Sequence, residues 1–168
     1  MVSTSNDTGM HEWLLTCFYG NPNKPDRITE WNFIVDMASH VSQPWILLGD
    51  LNSVFDQSKK KGGIPFNFND VTDIKSIIAQ VGLLDLGFVG PTFTWYNGQN
   101  GWARIHKRLD RALGNSDLTS LFPNVLVEHL APVRSDHAPI TISTSPSVKS
   151  LSKTFRFFNL WLKEDNCI

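Results

Sequence analysis

Short apolar runs that end in turn residues limit what this chain can fold into. One run, residues 45–48, stops at Gly49 and is followed by Asp50 and Asn52. Comparable runs lie at residues 13–18, 124–130 and 137–144. Apolar runs of this length between Gly, Pro, Asn and Asp residues are typical of β-strands. The sequence therefore predicts a sheet that presents polar side chains where its strands end.

Segments with apolar residues at helical spacing separate these runs. Asp26 is placed to cap one helix, and Asn69 or Asp70 is placed to cap a second, which Gly82 would end. A short third helix is predicted after Asn115.

Residues 91–113 predict a hairpin, because Asn-Gly steps lie between apolar residues that suit its strands: Phe93, Trp95, Trp102 and Ile105. Strands that alternate with helices, together with a hairpin, favour an α/β or α+β domain with mixed sheets.

The composition is that of one globular domain. The chain has 168 residues, of which 41% are hydrophobic and 18% charged, so it can form one core and is too short for two domains of ordinary size. No apolar run approaches the ~20 residues of a membrane span, and residues 1–13 lack the features of a secretory signal. Cys17 and Cys167 predict reduced thiols and neither a disulfide framework nor a cysteine zinc site. We expect a nuclear or cytoplasmic protein without a membrane partner.

A net charge of −1 argues against nonspecific binding of nucleic acid by the whole surface. Contacts with phosphates would have to come from a local basic patch. The candidates are residues 59–61, which are all lysines, and the set Arg104, Lys107, Arg108 and Arg111. Taken alone, both sets are more simply explained as solvated loop charges.

The polar side chains at the predicted strand ends suit attack of water on a phosphodiester. They are Tyr19, Asp50, Asn52, Asp110, Ser135, Asp136 and His137. Mg²⁺ takes oxygen ligands from carboxylates and keeps waters and substrate oxygens in its shell. An amide and an imidazole can share the charge that develops on the phosphoryl oxygens, while a carboxylate orients the water.

Each of these side chains, taken alone, also fits an ordinary structural role. A tyrosine before a glycine is usually a strand-edge residue, an aspartate between basic residues usually a surface ion pair, and a histidine often structural. A Ser/His/Asp hydrolase is not favoured, because no Gly-x-Ser-x-Gly motif is present. A zinc hydrolase is not favoured either, because the five histidines are scattered singly.

The ordered series "FYGNP", "ILLGDLN", "PTFTW", "RLDRAL" and "RSDHAPI" resembles the endonuclease/exonuclease/phosphatase superfamily. "KKKGG" and "FRFFNLWL" resemble, more specifically, the apurinic-endonuclease-like domain of plant LINE-type non-LTR retrotransposons. The resemblance covers residues 12–145, and residues 146–168 would be a linker and the start of a segment toward a reverse transcriptase. It implies an α+β fold, a four-layered α/β/β/α sandwich of two mixed sheets (DNase I-like), whose first strands are missing.

The resemblance also implies a role for each residue. Tyr19 would orient the scissile phosphate, and Asp50 would activate the water. Asn52 would stabilise the phosphoryl charge, while Asp110 would hold His137 for contact with the phosphate. Asp136, with Asp50 and Asn52, would bind Mg²⁺, for which Mn²⁺ could substitute. The remaining residues would position the DNA or support the site: Thr92, Ser135, Arg104, Lys107 and Arg108.

The expected function is Mg²⁺-dependent nicking of DNA by an endonuclease whose full-length ancestor carried a reverse transcriptase domain in the same chain. The family's N-terminal Asn and Glu motifs have no match in residues 1–12, so we expect a truncated domain with weak metal binding, low or lost activity and marginal stability. Two alternatives stay open. One is a phosphatase for small phosphate esters on the same fold, and the other is a non-catalytic remnant that binds nucleic acid.

Overall fold

The computed structural model describes residues 2–4 and 12–145. The strands are β1 (Val2–Thr4), β2 (Trp13–Tyr19), β3 (Trp45–Asp50), β4 (Lys60–Lys61), β5 (Leu84–Asp85), β6 (Trp95–Tyr96), β7 (His106–Lys107), β8 (Asp110–Gly114), β9 (Leu126–His129) and β10 (Ile140–Ser143). The helices are α1 (Lys24–Ala38), α2 (Thr72–Gln80) and α3 (Ser116–Leu121). The predicted linker and tail, residues 146–168, lie outside the described residues.

The largest sheet has the strand order β1-β2-β3-β8-β5. Strands β2 and β3 are parallel, whereas β1 with β2, β3 with β8, and β5 with β8 are antiparallel. Strands β4, β7 and β6 form a three-stranded sheet, and β9 pairs with β10. This mixture of sheets with few helices confirms the predicted α+β class.

Strand β3 lies at the centre of the core. Trp45 and Leu47 pack with Trp31 of α1 and Ile74 of α2, and all four side chains are buried. Ile46 is also buried, although successive side chains of a strand point to opposite faces. Burial on both faces explains why the run at residues 45–48 is continuously apolar. Burying each such side chain stabilises the fold by roughly 1.5–3 kcal/mol.

Two predicted helix caps are wrong. Helix α1 begins at Lys24, so Asp26 lies in its first turn and accepts a hydrogen bond from Asn23 Nδ2 at 2.6 Å. Before α2, Asn69 and Asp70 form a 3-10 turn that Asn67 caps by accepting from the Asn69 N–H at 3.1 Å. In both places the residue at the start of the turn is an asparagine upstream of the predicted residue: Asn23 before α1 and Asn67 before the 3-10 turn.

Two other predicted ends are correct. Gly82, with φ of 69°, follows the end of α2. Asn115 caps α3 by accepting a hydrogen bond from the Leu118 N–H at 3.0 Å.

The predicted hairpin exists as β6 and β7, but its strands are shorter than expected. Trp95 is in a strand as predicted, whereas Phe93 and Ile105 lie just outside the two strands. Trp102 is at the tip, in a 3-10 turn, and is 97% exposed. The expectation that Trp102 lies in a strand is therefore wrong. None of the helices within residues 2–4 and 12–145 is long and apolar enough to cross a membrane.

Candidate active site

Three neighbouring strands bring the main candidate residues together. Tyr19, the last residue of β2, is opposite Asp50, the last residue of the parallel strand β3. Asp50 is in turn opposite Asp110, the first residue of the antiparallel strand β8. Because β8 runs in the other direction, its beginning meets the ends of β2 and β3. Asp110 was expected where a strand ends, but it lies where β8 begins, because β8 is antiparallel to β3.

Gly49 fits its position because β2 and β3 approach each other closely there. Its φ is 147°, which side chains rarely adopt, and a Cβ atom at this position would collide with the Phe18 carbonyl oxygen. The glycine that ends the apolar run therefore lets β3 continue one residue further. Asp50 is the residue that this extension presents.

Asn52 is held in a strained backbone conformation. Its φ is 47°, which is uncommon for a residue other than glycine but is tolerated by asparagine. The Asn52 N–H donates to Asp50 Oδ1 at 2.8 Å, and its side-chain Nδ2 donates to the Gly20 carbonyl at 2.7 Å. The NH₂ group of the side-chain amide is thus bound to the Gly20 carbonyl, and the side-chain oxygen takes no part in this contact. Strain of this kind is concentrated at functional sites.

His137 connects the two aspartates. Its Nδ1 lies 3.0 Å from Asp110 Oδ2, and its Nε2 lies 3.8 Å from Asp50 Oδ2. A hydrogen bond from Nδ1–H to Asp110 leaves Nε2 on the side of Asp50. The side chain of His137 is 33% exposed, while those of Asp50 and Asp110 are 10% and 14% exposed. The imidazole is therefore the more accessible of these groups.

Thr94 positions both Asp110 and the segment that carries His137. Its buried hydroxyl accepts hydrogen bonds from the N–H groups of Leu109 and Asp110, each at 3.0 Å. Its carbonyl accepts from the Ala138 N–H at 2.7 Å. One residue thus fixes the two halves of the aspartate–histidine pair relative to each other. Sequence reasoning missed Thr94, because a threonine within "PTFTW" also fits an ordinary strand.

Burial raises the pKa of the Asp50 carboxyl, and the Asp110 carboxylate raises it further. The Asn52 N–H, the imidazole of His137 and the guanidinium of Arg27 oppose this rise. The net effect is a pKa above the ordinary value of 3.8. A carboxylate with a raised pKa is a stronger base once it is ionised.

The other predicted residues lie around this pair. Tyr19 is 67% exposed, so its phenol faces solvent beside Asp50. Ser135 Oγ accepts from the His137 N–H at 3.1 Å, and Asp136 Oδ2 accepts from the indole N–H of Trp95 at 3.0 Å. Thr92 is exposed and lines a cleft with Trp95 and Asp136. The structure thus gathers these residues at one edge of the molecule, with Ser135 supporting the turn before His137.

The basic residues do not form one group. Arg104 is exposed on the hairpin loop, where it donates to Asn100 Oδ1 and to the Gln99 carbonyl, each at 3.0 Å. Lys107 Nζ lies 5.0 Å from the centroid of the Trp95 ring.

Arg108 is only 3% exposed and forms an ion pair of 2.8 Å with Asp85. The expected contact of Arg108 with DNA is therefore at odds with its place in the structure. Its guanidinium stacks on the Phe88 ring at 4.3 Å from the centroid, an interior arrangement that the basic cluster in the sequence concealed.

The donors at this site suit a hard divalent cation only in part. Among residues 2–4 and 12–145, no group of three or more His, Cys, Asp or Glu side chains could hold a metal ion. Mg²⁺ requires fewer protein ligands than that, because it binds through one or two carboxylates and keeps waters and phosphate oxygens. The Asp50 carboxylate and the Asn52 amide oxygen meet this smaller requirement. Asp136 already accepts the Trp95 indole N–H through one oxygen.

Comparisons with known proteins agree with this fold. The chain is similar to the endonuclease domain of TRAS1, a telomere-specific non-LTR retrotransposon, with 19% identity and a TM-score of 0.60 over 83% of this chain and 60% of that one. It is also similar to beta toxin 275-280 from Staphylococcus aureus, with 16% identity and a TM-score of 0.55 over 85% of this chain and 55% of that one. The chain spans less than two thirds of either structure. No curated protein sequence matches it.

At these identities the two structures show the fold, which is DNase I-like. The family profile described as "Endonuclease/Exonuclease/phosphatase family" matches residues 5–137, which is most of the 168-residue chain. The chain therefore belongs to the Endonuclease/Exonuclease/phosphatase family, whose members include nucleases and phosphatases.

Proposed function

We propose that this chain hydrolyses phosphodiester bonds in DNA with the help of Mg²⁺ or Mn²⁺, as a nicking endonuclease of retrotransposon type. The observation that carries the proposal is the pairing of one imidazole with two carboxylates: His137 contacts Asp110 through Nδ1 and faces Asp50 through Nε2. An arrangement of this kind can hold a proton at one atom and accept one at another.

Each of these residues has a distinct task in the proposed reaction. Asp50 orients the attacking water and accepts a proton from it; as the water oxygen bonds to phosphorus, the P–O bond to the leaving deoxyribose oxygen breaks, and that oxygen takes a proton from solvent. Nε2 of His137 donates a hydrogen bond to a non-bridging phosphate oxygen, where negative charge develops. Asp110 accepts the Nδ1–H bond and compensates the charge of a protonated imidazole. Tyr19, exposed beside Asp50, holds the phosphate on the solvent side.

The divalent ion would be held by oxygen atoms of Asp50, Asn52 and Asp136. When bound, it would supply charge stabilisation to the phosphoryl oxygens and template the substrate. The backbone of Asn52 supports this assignment, since its N–H donates to Asp50 Oδ1 and its side-chain NH₂ group is held by the Gly20 carbonyl, which leaves the side-chain oxygen free of that contact. The buried setting of Asp50 would strengthen these electrostatic interactions.

DNA as the substrate is supported by features outside the pair. Arg104 and the fully exposed Trp102 lie on one hairpin loop, and cations with aromatic side chains are typical of nucleic-acid contacts. The TRAS1 domain, to which this chain is similar in fold, is an endonuclease domain of a retrotransposon. "KKKGG" favours a plant LINE-type element as the source, with a reverse transcriptase as the neighbouring domain in the ancestor.

The test is nicking of supercoiled plasmid DNA in the presence of Mg²⁺. Wild type and His40→Ala, which removes an exposed histidine just after the C-terminal end of helix α1, are expected to nick at equal rates. His137→Ala should be slower by at least ~10²-fold, the typical contribution of one hydrogen-bond donor to an oxygen on which charge develops. EDTA should abolish nicking. Release of phosphate from p-nitrophenyl phosphate is measured in parallel, and is expected to be negligible.

Two results would overturn the proposal. A folded wild-type chain that nicks no faster than His137→Ala would make this a non-catalytic member of the family. Release of phosphate from the small ester without nicking of DNA would make it a phosphatase. Far-UV circular dichroism of each protein establishes that the chain is folded.

A further inference from the structure

A basic cleft opens beside Asn52. It has a volume of about 160 Å³, and its lining includes Arg27, Lys60 and Lys107. These cations come from three separate elements: Arg27 from α1, Lys60 from β4 and Lys107 from β7. Since Asn52 lines the cleft as well, the cleft adjoins the candidate active site. We call it the basic cleft.

The cations of the basic cleft act on one another. Burial lowers the pKa of Lys107, and the positive charges of Lys60 and Arg27 lower it further. The cleft also contains the carboxylate of Asp70, but this group already pairs with Lys24 Nζ at 2.7 Å. Positive charges that are brought together at partly buried positions favour binding of an anion, which relieves their repulsion.

Two of the three cations of the basic cleft are held by hydrogen bonds. Arg27 is 9% exposed, and its guanidinium donates to Ser53 Oγ at 3.0 Å and to the carbonyls of Asn21 and Pro22 at 2.8 and 3.0 Å. The Lys60 ammonium donates to the Ile64 carbonyl. A guanidinium held in one place loses little entropy when it binds a phosphate.

We propose that the basic cleft binds a second, non-scissile phosphate of the DNA strand that is cleaved beside Asp50 and His137. The inference rests on the proposed function and extends it to substrate class. A nucleic-acid strand carries a phosphate on either side of the scissile one and can occupy both places, whereas a small phosphate ester carries only one. The basic cleft would therefore select polymeric substrates over small esters.

The first test measures binding without catalysis. Affinity for a fluorescein-labelled DNA duplex is determined by anisotropy in EDTA over a range of salt concentrations. Lys60→Ala and Lys107→Ala should each weaken binding about 5-fold at 0.1 M salt and lower the slope of log K against log salt by less than about 1, because the other lysine still contacts the phosphate. The double variant should lose about 1 from the slope, the value for one phosphate contact.

Lys61→Ala is the matched control. Lys61 follows Lys60 in β4 and is exposed, and it does not line the basic cleft. Its removal changes the net charge equally and should leave the slope nearly unchanged. If all three variants behave alike, binding is due to general surface charge and the proposal is overturned. Equal melting temperatures for the variants establish that the fold is intact.

The second test separates the basic cleft from the catalytic proposal. In plasmid nicking, Lys60→Ala and Lys107→Ala should raise KM about 5-fold with little change in kcat, whereas hydrolysis of bis(p-nitrophenyl) phosphate by Lys60→Ala should be unaffected. An unchanged KM for DNA would overturn the role of the cleft and leave the proposed nicking intact. Inorganic phosphate that binds wild type but not Lys107→Ala, combined with unchanged DNA affinity, would assign the cleft to a free anion and also overturn it.

Discussion

Asp50 is a carboxyl whose surroundings oppose its ionisation. Burial is the main cause of its raised pKa, and the Asp110 carboxylate adds to it. A group whose pKa is higher in the folded than in the unfolded chain stabilises the fold fully below the unfolded pKa, and this contribution is lost as pH rises through the folded pKa. At neutral pH the ionised Asp50 therefore lowers the stability of the fold, whereas the proposed reaction requires this ionised form.

Asp50→Asn should accordingly raise the melting temperature at pH 7 while it abolishes nicking. The amide keeps an oxygen that can accept the Asn52 N–H, and it needs no ionisation. We expect a rise of about 2–4 °C, equivalent to roughly 1 kcal/mol for a chain of this size. Thermal denaturation followed from pH 7 to pH 4 should show the difference from wild type shrinking as Asp50 becomes protonated.

The exposed Asp36 of helix α1 provides the control for this experiment. Asp36→Asn should change the melting temperature little, and by the same amount at every pH. An Asp50→Asn variant that melts below wild type at pH 7 would contradict the argument from burial.

Asp110 is expected to act through His137, as a positioning residue. Asp110→Asn replaces one carboxylate oxygen by an NH₂ group that can donate to Nδ1, which lies 3.0 Å from Asp110 Oδ2 in wild type, and so disfavours the Nδ1–H form of the imidazole. Nicking should fall by about 10²-fold or more, with KM for DNA nearly unchanged. The ¹⁵N spectrum of the His137 ring should show a loss of the Nδ1–H tautomer. An unchanged tautomer combined with a lower rate would point to a different role.

At the scale of elements, the apolar runs predicted the longer strands. The shortest strands form only because they pair with distant segments of the chain. The strand at residues 45–48 was predictable because burial makes it apolar, and the strand at residues 13–18 because Leu14 and Phe18 pack, partly buried, against the core. Strands β4 and β5 have two residues each, and no period of hydrophobicity marks them. Trp102 was wrongly predicted to lie in a strand, because it is apolar and apolar residues are usually buried. It is exposed because the loop of the hairpin is long enough to include it.

The contact between β8 and the turn at Thr94 leads to a prediction about elements. Thr94→Val removes the oxygen that accepts two buried N–H groups, those of Leu109 and Asp110. Each unpaired donor costs about 1–3 kcal/mol, so urea denaturation should show a loss of roughly 2–6 kcal/mol in the free energy of unfolding for the two. Nicking should fall too, since β8 begins with Asp110 at this point.

Thr94→Ser is the matched variant for this test. It retains the hydroxyl and should lose less than half as much stability as Thr94→Val. If Ser destabilises as much as Val, the hydroxyl contributes no more than the methyl group to holding the start of β8, which contradicts the argument from hydrogen bonding.

At the scale of the whole molecule, the placement of charge could not be inferred from the sequence. Arg104, Lys107, Arg108 and Arg111 are close together in the chain, yet Arg104 is on a loop while Arg108 and Arg111 are buried. Their burial depends on Asp85, which is distant in sequence and accepts hydrogen bonds from both. The candidate site was more predictable, because its aspartates and histidine follow recognisable motifs. Arg27 and Thr94, which no motif marks, needed the structure.

Asp85 should therefore be important for the stability of the molecule. Its side chain is 29% exposed and balances Arg108 and Arg111, which are 3% and 2% exposed. Burial alone would raise its pKa, but the hydrogen bond and charge of Arg108, with the charge of Arg111, outweigh burial and lower the pKa below 3.8. The resulting stabilisation is present above the unfolded pKa and is lost as pH falls through the folded pKa.

Asp85→Asn should destabilise the protein by about 3–5 kcal/mol, because two buried cations lose their anion. At about 2–4 °C per kcal/mol, calorimetry at pH 7 should show a large fall in melting temperature. Asp70→Asn is the control, since it breaks the exposed pair with Lys24 and should cost about 0–1 kcal/mol. The gap between Asp85→Asn and wild type should narrow as pH falls through the lowered pKa of Asp85 and the carboxylate is protonated. Equal losses in the two variants would mean that Phe55 and Phe88, which stack on the guanidinium groups of Arg111 and Arg108, keep both arginines buried without the carboxylate.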